Sequence, residues 1–376
     1  MRIAINSRLL IPGKLDGIGW FTAETVSRIV ASHPEHEFFL FYDRKSSAQS
    51  VAGKNVHPVV LFPPARHPFL WILYFEASTQ RALRKYKIEL YISTDGWMPV
   101  RPKVRSLDVI HDLNFEHSAN YLRPVYQWYM KKFFPRFAHN ASRLATVSEF
   151  SKKDIAQTYG ISPSKIDVVY DGAHADYRVI SPEEQQAVRE KYSDGNPFFI
   201  FIGNISPRKN LSRTLQAFDR VCDRYAKPLR MLVVGAHVDD DGLHDTIGSL
   251  RHATNIVFLG HLPTADLSRL LASSVALLYT SLFEGFGIPI LEAFNAGTAV
   301  VTSNTTSMPE VAGDAALLVN PQSVDAIAEA MYQILTDTSL RNSLIAKGMN
   351  QRKLFSWERT ADLLWQSAML TAQPDR

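Results

Sequence analysis

The chain of 376 residues contains one cysteine, Cys222. An internal disulfide framework is thereby excluded, and a reducing compartment is the expected setting. No apolar run approaches the length a membrane-spanning helix needs. The opening stretch "MRIAINSRLLIPGKLDG" has neither a long apolar core nor a small-residue cleavage site, so no secretory signal is expected and the cytosol is the predicted location. Charge of one sign is not in excess either: 41 Lys and Arg face 37 Asp and Glu, a formal +4. That mild basicity suits an anionic substrate or lipid headgroups and gives no reason to expect a nucleic-acid partner. Short internal repeats and low-complexity segments are also missing, which excludes solenoids and arrays.

Hydrophobic residues make up 46% of the chain and charged residues 21%, a soluble globular balance. The length exceeds what one ordinary core accommodates and predicts two domains. In the first half, "RIAIN", "FFLFYD", "NVHPVVLF", "LYIST", "LDVIH" and "LATVS" read as strands separated by helical stretches. The pattern weakens over residues 160–197, where a domain junction is expected. A second series follows: "PFFIFIGN", "LRMLVVGA", "NIVFLG", "VALLYTS", "TAVVTSN" and "AALLVN". Alternation of this kind predicts α/β domains, each a parallel sheet flanked by helices. Residues 1–170 form the first, 195–355 the second, and a final helix in 356–376 is expected to return to the first.

In such sheets ligands bind beyond the carboxyl ends of strands. The loops to read therefore hold Gly17–Gly19, His111, Ser148, Asn204–Asn210 and Glu284–Gly287. "FEGFGIPILEAFNAG", residues 283–297, sets Glu284 and Glu292 eight positions apart. Pro289 suits a first helical turn and Gly297 a helix end, which puts Glu284 in a loop and Glu292 inside a helix. Gly285 and Gly287 permit close backbone approach, and the helix start offers N–H groups for a phosphate. Taken alone, this loop is slightly better read as an ordinary glycine turn with a solvated glutamate. The second loop, "GNISPRKNL" at 203–211, shifts the balance, because Arg208 and Lys209 before a helix make a good diphosphate clamp.

Together these motifs resemble the retaining GT-B glycosyltransferases of family 4. Glu284 and Glu292 match that family's E-x7-E motif, Arg208 and Lys209 its basic pair, and "TVSEFSKKDI" and "NTTSMPEVAGDAALLVNP" further segments, over nearly the whole chain. The resemblance implies two Rossmann-like domains facing each other across a cleft. It further implies retaining transfer of a hexose from a nucleotide-diphosphate sugar, without metal or other cofactor. By the same analogy Glu284 touches donor-sugar hydroxyls, Glu292 holds the ribose, and Arg208 and Lys209 stabilise the leaving diphosphate. Gly203, Phe286, Gly287 and Ile288 lie by the donor, and Gly17 and Gly19 approach it from the other domain. His111 contacts the donor sugar, with Asp112 orienting it; a buried structural histidine is the even alternative without the family context. The donor is a GDP- or UDP-hexose, with GDP-mannose favoured because mannosyl transfer is frequent in the family. The acceptor is a growing polysaccharide or lipid-linked glycan.

Ser148 reads better as a helix cap than as a substrate contact. "VDDDG", residues 238–242, reads as a solvated loop rather than a metal site. Gly17-x-Gly19 lacks the third glycine of the dinucleotide fingerprint, with Thr22 in its place, so an oxidoreductase is a weak rival. Of the two aromatic stretches, 67–76 is expected in the core. Residues 123–137, which mix Trp128, Tyr129, Phe133 and Phe134 with Lys131, Lys132 and Arg136, fit either a core helix or a membrane surface. A sugar-nucleotide epimerase of the same fold is the alternative function, and a noncatalytic nucleotide-sugar-binding module a weaker one.

Overall fold

The computed structural model describes residues 1–13, 15–47, 50–117, 124–236 and 241–373. The chain divides into two compact units, Met1–Asp171 with Trp357–Arg376, and Gly172–Ser356. The α/β architecture expected from the alternation is present in both.

In the first unit seven strands form one parallel sheet: β1 (Arg2–Asn6), β2 (Glu37–Tyr42), β3 (Val56–Val60), β4 (Leu90–Ser93), β5 (Arg105–Val109), β6 (Arg143–Thr146) and β7 (Ile166–Val168). Their spatial order is β3-β2-β1-β4-β5-β6-β7. The order reverses between β1 and β4, which opens a crevice at the strand ends there. Aromatic residues dominate one side of the core, where Trp71 and Trp97 pack 4.3 Å apart by ring centres beside Tyr129 and Phe134. Trp71, Tyr74 and Phe75 place the 67–76 stretch in the core, although Phe69 and Leu73 within it face solvent.

The helix Trp357–Ala372 belongs to this unit and packs on the helix Gly17–Ser32 and on β4, β5 and β6. Thr360 Oγ1 donates to the Tyr170 carbonyl, Ser367 Oγ to Asp167 Oδ2, and the Trp365 ring stacks on His33 at 4.0 Å. Its apolar stripe, Trp357, Ala361, Leu364 and Ala368, recurs every three or four residues and is buried.

The second unit holds β8 (Phe198–Ile202), β9 (Arg230–Val234), β10 (Ile256–Gly260), β11 (Ala276–Tyr279), β12 (Ala299–Ser303) and β13 (Leu317–Val319), parallel and in the order β10-β9-β8-β11-β12-β13. β8 reads FFIFI and β11 ALLY, buried at every position, as strands covered on both faces must be. The helix Leu211–Tyr225 turns Leu211, Leu215, Phe218 and Cys222 into this core.

The region of weak periodicity over 160–197 contains β7 and the helix Pro182–Ser193, and the boundary between the two units falls between Asp171 and Gly172. One expectation needs correction. Gly17 and Gly19 are not loop residues: they lie in the first turn of the Gly17–Ser32 helix, where Asp16 Oδ1 accepts from the Gly19 amide at 2.8 Å. An acid at the N-cap fixes that turn and starts the helix earlier than its apolar pattern suggests. Residues 238–240 of "VDDDG" and Arg123 lie outside the described residues.

Candidate active site

The second sheet changes direction between β8 and β11, and the loops leaving these two strands carry the charged residues singled out above. β8 ends against Gly203, whose backbone has φ 143°. Beside it Gly235, after β9, has φ 153°, and a Cβ there would stand 1.9 Å from the Gly203 carbonyl oxygen. Only glycine at 235 lets the two loops lie against each other, held by Gly203 N donating to the Val234 carbonyl and Ile205 N to that of Ala236.

The chain then makes a short turn, Pro207–Lys209, and Asn210 adopts a left-handed conformation at φ 60°. Asn210 is buried and spends its Nδ2 on the carbonyls of Thr280 (2.9 Å) and Pro321 (2.7 Å). Leu282 N donates to the Arg208 carbonyl at 2.8 Å. The basic turn is thus pinned to the end of β11.

Glu284 meets both cations. Its Oε2 is 2.7 Å from Arg208 Nη1 and its Oε1 2.7 Å from Lys209 Nζ. Arg208 also donates to the Phe283 carbonyl at 2.6 Å, and Lys209 to the Tyr279 hydroxyl at 2.9 Å. Burial alone would raise the Glu284 carboxyl, but Lys209 and Arg208 overcome it and hold the group down at about 2. The backbone of the same loop is latched from β12 onward. Glu284 N donates to Thr306 Oγ1, and Ser307 Oγ lies within hydrogen-bond distance of the Glu284 (2.9 Å) and Phe286 (2.8 Å) carbonyls.

Past Phe286, Gly287 takes φ 118° and feeds the helix Ile288–Ala296, with Pro289 in its first turn and no acid there. Gly297 ends it in the left-handed region at φ 70°. The positive end of this helix therefore sits directly after the loop bearing Glu284. Glu292, one turn in, accepts from the Tyr177 hydroxyl; burial raises its carboxyl to about 7, against the lowering effect of that hydrogen bond. Two acids that look alike in sequence are held in opposite ionisation regimes.

Gly203, Arg208, Lys209, Glu284, Phe286, Gly287, Ile288 and Glu292 all belong to these adjoining β8 and β11 loops and the helix that follows. Gly17, Gly19 and His111 belong to the first unit. There His111 follows β5, partly buried, and its Nε2 lies 2.9 Å from the Thr94 carbonyl. A carbonyl only accepts, so Nε2 carries the proton. Burial lowers the imidazole below its ordinary value, which leaves it neutral near pH 7 with Nδ1 as its acceptor nitrogen. Asp112 does not orient the ring by a hydrogen bond. Its Oδ1 takes the backbone and side-chain N–H of Asn114, while Thr94 fills the orienting role. Ser148 caps the helix Glu149–Tyr159, accepting from Ser151 N at 3.0 Å. Among the described residues no three His, Cys, Asp or Glu side chains cluster as metal ligands.

The sequence reading named Asn210 only as the end of a loop and Thr306 and Ser307 only within a matching segment, and it missed Gly235 and Tyr177. Gly235 had a signal, since "VVG" ends β9 as "FIG" ends β8. Tyr177 had none, lying in a stretch without periodicity.

Residues 15–177 match the model described as Glycosyltransferase Family 4 and residues 183–351 that of Glycosyl transferases group 1. The chain belongs to glycosyltransferase family 4. It is 32% identical to O-antigen chain mannosyltransferase B of Escherichia coli over 92% of this chain and 93% of that one. O-antigen chain mannosyltransferase RfbU of Salmonella typhimurium is 27% identical over 71% of each. Among solved structures, WaaG, a glycosyltransferase involved in lipopolysaccharide biosynthesis, superposes with a TM-score of 0.75 at 16% identity, covering 98% of this chain and 99% of that one. HepE of Anabaena, in complex with UDP and glucose, does so at 0.76 and 16%, covering 98% and 100%. The two parallel-sheet units are the Rossmann-like domains of the GT-B fold.

Proposed function

We propose that this glycosyltransferase moves mannose from GDP-mannose to a growing polysaccharide or lipid-linked glycan, with retention at the anomeric carbon and without a metal. The observation that carries the reading is the Arg208–Lys209–Glu284 cluster at the start of the Ile288–Ala296 helix. When the bond between sugar and diphosphate breaks, negative charge accumulates on the leaving phosphate oxygens. Two fixed cations and a helix amino terminus already in place stabilise that charge more in the transition state than in the ground state. Protein cations then do the electrostatic work that a divalent metal does elsewhere. Glu292, aligned by Tyr177, is the acceptor for ribose hydroxyls, and His111 Nδ1 for a hydroxyl of the sugar.

Mannose is favoured by the relatives named mannosyltransferases, and a polysaccharide acceptor by their O-antigen designation. The helix Pro124–Asn140 supports a peripheral contact with the inner face of a membrane. Tyr129, Phe134 and Phe137 anchor it in the core, while Trp128, Lys131, Lys132 and Arg136 remain exposed and Lys132 Nζ lies 4.7 Å over the Trp128 ring.

The test is transfer by the purified protein from GDP-mannose and from UDP-hexoses to a lipid-linked glycan, with and without EDTA, followed by NMR of the product anomer. Transfer from GDP-mannose with retention and in EDTA is the expected result. Loss of turnover in EDTA that Mg2+ restores would contradict the metal-free part. A new sugar nucleotide formed from the donor alone would establish an epimerase instead.

A further inference from the structure

One chain of buried hydrogen bonds in the first unit ends on His111, and Thr94 is its hub. The Thr94 hydroxyl donates across 2.9 Å to the Asn6 carbonyl, at the end of β1. Since that carbonyl only accepts, the Thr94 proton is committed there and the oxygen's lone pairs are left for another donor. Thr22 supplies it, its hydroxyl standing 2.9 Å from Thr94 Oγ1 and 2.9 Å from the Ile18 carbonyl one turn back. The carbonyl of Thr94 in turn takes the His111 Nε2 proton at 2.9 Å. Phe21, adjacent to Thr22, sets its ring edge-on to the imidazole, 4.9 Å between centres at 87°. The second turn of the Gly17–Ser32 helix, β1, the end of β4 and the loop after β5 are thus joined through two hydroxyls.

Both threonines are buried, at 0% and 1% exposure, so water does not compete for these bonds. Stability alone gives little reason for a hydroxyl at 22. Valine fills almost the same volume, is equally β-branched, and brings no polar atom to satisfy. A glycine, as in a dinucleotide-binding turn, would serve close packing and nothing else. What threonine adds over either is a directed bond to the residue whose carbonyl holds the imidazole.

We infer that Thr22 and Thr94 are positioning residues that fix the orientation of the His111 ring from the second turn of the Gly17–Ser32 helix. The inference rests, for its effect on turnover, on the reading that His111 contacts the donor sugar. Thr22 touches no substrate and acts only through Thr94.

The experiment compares full-length wild type with Thr22→Val, Thr22→Ser, His111→Ala and the double variant Thr22→Val/His111→Ala. It measures kcat and KM for the sugar donor, GDP affinity by calorimetry, and solvent exchange of the His111 ring proton by NMR. Thr22→Val is expected to lower kcat about tenfold, the scale of one net hydrogen bond, with GDP affinity unchanged. Thr22→Ser should recover most of the loss. In the His111→Ala background Thr22→Val should add no further loss, because coupled residues are not additive. The ring proton should exchange at least several times faster in Thr22→Val than in wild type or Thr22→Ser. Equal losses in both backgrounds, or a ring proton as protected in Thr22→Val as in wild type, would overturn the inference. A His111→Ala enzyme that transfers at the wild-type rate would remove the sugar contact instead, and the exchange measurement alone would then decide the positioning role.

Discussion

Removing the charge of Glu284 and removing that of Glu292 should move nucleotide affinity in opposite directions. Glu284 neutralises Arg208 and Lys209 at 2.7 Å, so Glu284→Gln leaves two cations uncompensated at the proposed diphosphate site. GDP affinity should rise by about tenfold while turnover collapses. Glu292→Ala removes the proposed ribose acceptor and should weaken GDP binding by about ten- to hundredfold. Calorimetric titration of both variants decides it, and equal weakening would abolish the separate roles. The raised Glu292 carboxyl adds a pH dependence. With its midpoint at about 7, against an ordinary 4.5, it is ionised and able to accept from hydroxyls above that pH. GDP should therefore bind progressively more weakly as pH falls through about 7, and Glu292→Gln should flatten the profile. Folding stability carries the opposite sign. Between about 4.5 and 7 the folded carboxyl keeps a proton that the unfolded one has lost, so Glu292 disfavours the folded state increasingly as pH rises through that window.

At the scale of elements, the fit of the β8 loop on the β9 loop is the most sensitive point. Gly235→Ala would force a Cβ to within 1.9 Å of the Gly203 carbonyl, a backbone atom that cannot swing away. A loss of about 2–4 kcal/mol is expected, together with weaker GDP binding because the Arg208–Lys209 turn hangs from that loop. Gly248→Ala is the control. That glycine sits in the helix Asp241–Ser249 with no heavy atom near its absent Cβ, and the change should stabilise by about 0.5–1 kcal/mol. Denaturant unfolding of the two variants measures both. The same elements show what a sequence discloses. β8 and β11 were legible because strands buried on both faces leave continuous apolar runs. β7, three residues after a short turn at Pro163–Lys165, is too brief to show a period. The helix Pro182–Ser193 buries only its last residue, so it has no apolar stripe. Its signature is a capping box instead, Ser181 with Glu184 around Pro182, and that signal stood in "SPEEQ". The Glu284–Glu292 spacing was readable because one loop and one helix carry both. The Thr22–Thr94–His111 chain was not, since it joins residues from separate elements that only the sheet order brings together.

For the molecule as a whole, exposed cations beside an aromatic ring predict salt-sensitive partitioning to anionic membranes. At low ionic strength the protein should sediment with liposomes containing acidic lipid and be released as salt rises. A triple variant, Lys131→Ala, Lys132→Ala and Arg136→Ala, should stay in the supernatant. Equal partitioning of the two proteins would dismiss this surface.

The helix Trp357–Ala372 completes a unit whose other elements were made before the whole of Gly172–Ser356. During synthesis at roughly 5–20 residues per second, β1–β7 wait some 10–40 s, on the order of magnitude, for the helix that covers β4, β5 and β6. The Gly172–Ser356 unit, though encoded later, needs no segment made after it, and the earlier unit spends that interval with an apolar strip open to chaperones and proteases. A released chain ending at Ser356 should therefore yield a protease-resistant Gly172–Ser356 fragment and a digestible amino-terminal half. Extension through Ala372 should protect both, so the half translated first is the one that depends on the last segment made.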